Sequence, residues 1–206
     1  FAVTMDGRIM AFGTAGREPV NYSCLPVPSE SSAENIGRAE AILTAAGVRD
    51  GYAFVYGDAG NGLLEALAGI SDLRIVAVIE GQGRVDALRR MFDRTGLAGG
   101  KISVFAGDFR TFDAPQYMSS LTILNAPVPA AGLPKDALGR LFQSLRPYGG
   151  SLLIPYAAET ERMLQGLLTG ADFPGARLRK SGNYLVLSRE GPLPGAGVWT
   201  HNLGDA

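Results

Sequence analysis

Between residues 52 and 156 the chain keeps returning to short, nearly continuous apolar runs: YAFVYG, RIVAVIE, KISVFAGD, SLTILNAPV and SLLIPY. Each is too short for a globular helix and lacks the polar alternation of a strand with one wet face. Each therefore reads as a strand covered on both sides. Between several of them stand helical stripes, GLLEALAGI, GRVDALRRMFDRTGL and KDALGRLFQSLRPYGG, long enough to carry the chain back across a sheet. That alternation dictates an α/β fold, a Rossmann-like, doubly wound and mostly parallel sheet with helices on both faces. A helix precedes it after Ser32, where Ile36, Ala39, Ile42, Leu43 and Ala46 recur at three- and four-residue steps until Gly47. ETERMLQGLLTG supplies one more helix. The close differs: ARLRKSGNYLVLSRE is two strand-like runs about Ser181-Gly182-Asn183, a hairpin that predicts a seven-stranded sheet with an antiparallel last strand.

The ends do not continue this pattern. FAVTMDGRIMAFG places two short apolar runs about Asp6-Gly7, a hairpin signal, and the stretch after it is rich in Pro, Gly and Ser. The expected organisation is a hairpin and linker over 1–24, the α/β domain over 25–190, and a Gly- and Pro-rich tail over 191–206. The start at Phe1, in mid-strand, reads as an excerpt of a longer polypeptide, and a cytoplasmic setting is expected. Composition narrows the function classes. Nineteen basic and 20 acidic residues are scattered along the chain, so charge suggests no nucleic-acid partner. No apolar stretch approaches the ~18 residues of a membrane span. Cys24 and His201 each stand alone, so neither a disulfide framework nor a metal site is expected.

The chemistry concentrates in VYGDAGNGLLEALA, where a strand runs through Gly57, Gly60 and Gly62 into a helix. In an open α/β sheet, ligands sit beyond the carboxyl ends of the strands. Glycines there admit close backbone approach, and the free N–H groups of the helix start favour an anionic group. The same glycines could equally serve only the unusual φ angles of the turn. Eighteen residues beyond Gly62, Glu80 ends the next strand, where ribose hydroxyls need an acceptor, and Asp108 ends the one after, able to accept from an exocyclic amine. The order G-x-x-G-x-G departs from the G-x-G-x-x-G of dinucleotide enzymes, which makes nicotinamide-dependent oxidoreduction the least favoured reading.

At this point the sequence resembles the class I methyltransferases that use S-adenosylmethionine, whose first motif is a strand ending in D/E-x-G-x-G-x-G. LRPYGGSLLI, residues 145–154, is similar to the family's helix-to-strand passage, commonly L-R-P-G-G followed by an apolar strand. The closing hairpin is similar to the family's last two strands. The resemblance implies that Gly57, Asp58, Ala59, Gly60 and Gly62 wrap the methionine portion of S-adenosylmethionine. It further implies that Glu80 with Gly81 holds the ribose, that Asp108 and Phe109 border the adenine, and that Asn125 stands at the substrate-facing lip. Methyl transfer from a sulfonium demands alignment more than acid or base help, so no catalytic residue is singled out and the acceptor stays unidentified.

The turn departs from the family pattern. Aligning Gly60 and Gly62 with the last two glycines puts Asp58 at the first and Tyr56 at the acidic position. Aligning Gly57 with the first puts Ala59 and Asn61 at the others. A carboxylate at Asp58 would repel the cofactor's own carboxylate. A noncatalytic domain kept as a scaffold is therefore the alternative. Asn125-Ala126-Pro127 only partly matches the N/D-P-P-Y signature of amino-methylating enzymes. Arg84, Arg89, Arg90 and Arg94 read as a solvated helix face. Finally, FAVTMDGRIMAFG and GAGVWTHNLGDA resemble strand strings of the β-propellers related to quinoprotein dehydrogenases. That resemblance implies a domain inserted between blades of the same polypeptide.

Overall fold

The computed structural model describes residues 2–3, 9–10, 13, 31–125, 133–169 and 172–197. The strands β1 (Ala2–Val3) and β2 (Ile9–Met10) form an antiparallel ladder, as the hairpin reading expects. The Asp6-Gly7 turn, the linker with Cys24, Ala126-Pro127, and Trp199, His201 and Asp205 of the tail lie outside the described residues. The α/β part follows as α1 (Ala33–Ala46), β3 (Asp50–Tyr56), α2 (Asn61–Ile70), β4 (Asp72–Ile79), α3 (Gln82–Arg94) and β5 (Ile102–Ala106). It continues through β6 (Ser119–Leu124), α4 (Lys135–Ser144), β7 (Gly150–Pro155), α5 (Ala158–Leu167), β8 (Ala176–Ser181) and β9 (Tyr184–Arg189).

The seven strands lie in the order β5-β4-β3-β6-β7-β9-β8. β3 through β7 are mutually parallel, and β9 inserts antiparallel between β7 and β8. β3, β4, β6 and β7 carry side chains to two cores, whereas the edge strand β5 sends Ile102 and Val104 to one of them and leaves Phe105 exposed. Along β3, Ala53 and Val55 enter the core shared with α1, α2 and α3, while Phe54 and Tyr56 enter the core shared with α4 and α5. The doubly wound architecture expected from the apolar runs is therefore the one observed. The α1 stripe is capped as its sequence implies: Ser32 accepts the Asn35 N–H at 3.3 Å, and Gly47 ends the helix at φ 70. Ile36, counted in that stripe, is instead 39% exposed and lies about a turn before Ala39, the first buried residue of the helix.

No helix links β5 to β6. Phe112 fills the space instead, its ring 6.4 Å from Phe54, 6.3 Å from Tyr56 and 5.9 Å from Phe105. α4 stops at Ser144, well short of the Gly-Gly pair that the sequence stripe reaches. Leu145 is already extended, the backbone of Arg146 is constrained by Pro147, and the Arg146 N–H donates to Ser119 O at 2.8 Å. The glycines behind Pro147 have separate reasons. Gly149 sits at φ 111, and a Cβ on Gly150 would lie 2.6 Å from both N and O of Arg146 and 2.9 Å from Ser119 O. Those neighbours are backbone and cannot swing aside. Gly150→Ala is expected to destabilise the fold by about 1–3 kcal/mol in urea unfolding, and an unchanged midpoint would show that the passage has slack.

Candidate functional site

Strand order reverses at β3, whose neighbours β4 and β6 receive the chain from opposite sides. A crevice at the carboxyl ends of these strands follows from that reversal. The structure has a cleft of about 330 Å³ there, at the lower end of the ~300–1,000 Å³ typical of small-molecule sites. It brings together Gly57, Asp58, Glu80, Asp108, Phe109 and Asn125 from four different strand ends. Two further lining residues, Ile79 and Gly107, were not singled out in the sequence. Both are the last or first residue at a strand end adjoining a chosen carboxylate, so the strand-end rule that picked Glu80 and Asp108 could have included them.

The glycines of the turn divide their work. Gly57 at φ 90 and Gly60 at φ 74 hold left-handed backbone that other residues adopt only with strain. A Cβ at Gly60 would meet nothing within 4 Å, so open space lies above the turn. Gly62 lacks a side chain for a packing reason, because a Cβ there would run into the Asn35 side chain of α1. Ala59 is only 8% exposed and its methyl joins the core under α1 and α2, away from the cleft. Tyr56, the aromatic at the family's acidic position in one alignment, is 1% exposed and turned into the opposite core. Burial, and secondarily the charge of Asp113, pushes its phenol well above the usual value. The Asn61 side chain lies outside the described residues. α2 begins with no side-chain cap, so its first N–H groups are left for water or an anion.

Asp58 does not reach freely into the hollow. Its Oδ1 accepts the Gly60 N–H at 3.0 Å, and its two oxygens receive Arg84 Nε at 2.8 Å and Nη2 at 3.2 Å. Arg84 holds the carboxyl below the usual carboxylate range, with burial opposing and the Gly60 N–H assisting. Arg84 is therefore not part of a merely solvated face. Arg89 departs from that reading too, since its Nε and Nη2 donate to Val104 O of the edge strand β5 at 2.9 and 2.7 Å. Asn125 is spoken for at both ends: Nδ2 donates to Asp58 O at 3.0 Å, and Oδ1 accepts from Arg38 at 2.6 Å. An amide so occupied is a brace between β6, the turn and α1, and it has little left with which to grip an amine.

Glu80 is exposed beside the cleft, and Gly81, at φ 88, caps α3 by accepting from Arg84 and Val85. Gly81 itself does not line the hollow. Asp108 is the most engaged carboxylate. Oδ1 accepts from Arg110 N, Thr111 N and Thr111 Oγ1 at 2.9, 2.8 and 2.7 Å, and Oδ2 from Arg110 Nε at 2.9 Å. Its first task is to cap the turn that delivers Phe112 to the sheet, which leaves about one Oδ2 lone pair for an exocyclic amine. Phe109, 4% exposed, adds an apolar surface at the same end. Among the described residues no three His, Cys, Asp or Glu side chains cluster closely enough to hold a metal, and no helix is long and apolar enough to cross a membrane.

No family model and no curated protein matches the chain. Solved structures do. A provisionally assigned S-adenosyl-L-methionine-dependent methyltransferase from Methanococcus maripaludis superposes with a TM-score of 0.61 at 16% identity, covering 77% of this chain and 85% of that one. TYW2 from M. jannaschii, solved in complex with AdoMet, gives 0.50 at 15% identity over 76% and 74% of the two chains. The 4+2 cyclase SpnF gives 0.53 at 15% identity over 70% and 59%. At these identities the likeness carries the fold, a methyltransferase-type mixed seven-stranded sheet, and not an activity.

For Asp108, burial is the largest single influence and pushes the carboxyl up, but the bonds from Thr111 and Arg110 together outweigh it and the net shift is downward. A carboxyl lowered by folding stabilises the native state above the unfolded value near ~3.9, and that stability is lost as pH falls through the folded value. Asp108→Asn should thus cost about 1.5 kcal/mol at neutral pH, and the gap to the parent should close below about pH 4. Denaturant melts across pH would reveal it; a gap independent of pH would remove the charge from the account.

Proposed function

We propose that this chain binds S-adenosylmethionine in the cleft at the ends of β3, β4, β5 and β6 and transfers its methyl group to an acceptor. The observation that carries the reading is the convergence, at the strand-order reversal, of an open glycine turn with a carboxylate, Glu80, free of partners among the described residues. The residues fit the group: space above Gly60, uncapped N–H groups at α2, the Glu80 carboxylate at the end of the adjacent strand, and Ile79 and Phe109 as apolar walls. TYW2, of the same fold, was solved with AdoMet, which supports the choice of nucleoside.

When bound, S-adenosylmethionine would supply an electrophilic methyl carbon on a sulfonium, with the neutral thioether as leaving group to an acceptor's lone pair. What the chain supplies is alignment. Gly57 and Gly60 give backbone that can be approached closely, Glu80 accepts from the ribose hydroxyls, and Asn125 braces the turn against β6. Phe109 and the remaining Asp108 lone pair border the base.

The second reading, a noncatalytic scaffold, draws on one specific observation: the Gly60 N–H that a ligand could use is already taken by Asp58. SpnF, a cyclase of this fold, also supports keeping fold and methyl transfer apart. The association of both ends with propeller blades of the same polypeptide stands as a proposal resting on their sequence strings and on the β1–β2 ladder.

Calorimetric titration with S-adenosylhomocysteine separates the readings. Saturable binding is expected, and Glu80→Ala should weaken it by about 1.5–3 kcal/mol, the worth of charged hydrogen bonds to the ribose. No heat and no thermal shift at millimolar ligand would support the scaffold.

A further inference from the structure

Residue 58 is where the turn differs most in charge from the pattern it resembles. An acidic group there borders the part of the cleft that the S-adenosylmethionine reading gives to an α-amino-acid tail. Left bare, it would repel that tail's carboxylate. It is not left bare. Arg84 reaches across from the first turn of α3 and grips both Asp58 oxygens, at 2.8 and 3.2 Å, while Oδ1 also turns back onto the Gly60 N–H at 3.0 Å. The Asp58 carbonyl is fixed separately by Asn125 Nδ2 at 3.0 Å. The acidic side chain is thereby tied down on its polar side as well as its backbone side. The pair stands at the rim, with side chains 40% and 46% exposed, where an incoming charged ligand can meet it.

The partner is specific to the turn. Of the α3 arginines, Arg89 is committed to the Val104 carbonyl on the far edge. Arg84 is placed by the glycine that caps α3, since its N–H bonds to Gly81 O at 3.1 Å, one residue beyond Glu80. The same β4–α3 junction thus presents the carboxylate proposed for the ribose and the cation that neutralises Asp58. A guanidinium with two prongs on one carboxylate keeps N–H donors in reserve.

We propose that Arg84 is a specificity-determining residue of this cleft: it offsets the charge of Asp58 and so admits a nucleoside that carries an α-amino-acid tail. The inference rests on the S-adenosylmethionine reading, and its test keeps the two apart. Affinities for S-adenosylhomocysteine and for 5′-methylthioadenosine, which has the same nucleoside and thioether but no amino-acid tail, are measured by calorimetry on the full chain. Arg84→Ala is expected to weaken S-adenosylhomocysteine about tenfold and 5′-methylthioadenosine less than about twofold, because the uncapped N–H groups of α2 draw the tail's carboxylate rather than its ammonium to the turn, where an unopposed Asp58 repels it. Asp58→Gly combined with Arg84→Ala is expected to recover S-adenosylhomocysteine to within about threefold of the parent, since the charge that needed offsetting is gone. A merely structural arginine would produce neither the ligand dependence nor the recovery. If the parent binds neither compound, the cofactor reading fails and takes this inference with it. If the parent binds both and Arg84→Ala weakens them equally or not at all, or if the double variant does not recover, the inference alone is overturned.

Discussion

The site exists because strand order reverses at β3. With β4 laid down on one side and β6 on the other, the crossovers depart in opposite directions and the carboxyl end of β3 is left uncovered. The residues that line the cleft are hung from that gap. Gly57 and Gly60 turn the chain out of β3, and the neighbouring strands end on Glu80, Asp108 and Asn125. The two cores beneath hold those ends in register: Ala53 and Val55 are locked against α1 and α2, Phe54 and Tyr56 against the opposite face. Precision at the rim is a consequence of packing in the interior.

Charge at the rim is organised in relays rather than as free groups. Arg38 holds Asn125, Asn125 holds the Asp58 carbonyl, and the Asp58 carboxylate holds both Gly60 and Arg84. That line ties α1, β6, the turn and α3 together across the mouth of the cleft. Asp108 is similarly absorbed, capping the turn that swings Phe112 under β3 where a crossover helix is absent. Glu80 contrasts with both: it is the exposed carboxylate beside the cleft with no bonded partner among the described residues, which is why the nucleoside reading leans on it.

The fold was legible in the sequence because two-sided burial leaves an unbroken apolar run and a helix leaves a spaced stripe. Runs such as RIVAVIE and SLLIPY therefore announce β4 and β7 without further information. The placement of Gly57, Glu80, Asp108 and Asn125 at one rim was legible for the same reason, since parallel strands all end on one side. The state of each side chain was not. Whether Asp58 is bare or paired depends on Arg84, 26 positions away, and nothing local in GDAGNG indicates it. The methyl of Ala59 and the ring of Tyr56 turn inward because of strand-end geometry that a glycine pattern does not encode. The end of α4 is hidden for a local reason, because the apolar stripe continues past Ser144, while Pro147 disfavours helix at the residue before it.

If the cleft binds S-adenosylmethionine as proposed, Glu80 is the ribose acceptor, Phe109 the wall against the base and the Gly57–Gly60 turn the cradle of the tail. A crystal structure of the chain grown with S-adenosylhomocysteine tests this directly. The account predicts density in the β3–β6 cleft with both ribose hydroxyls within hydrogen-bonding distance of Glu80. Density for the nucleoside elsewhere, or in the cleft with Glu80 turned out to solvent, would contradict it.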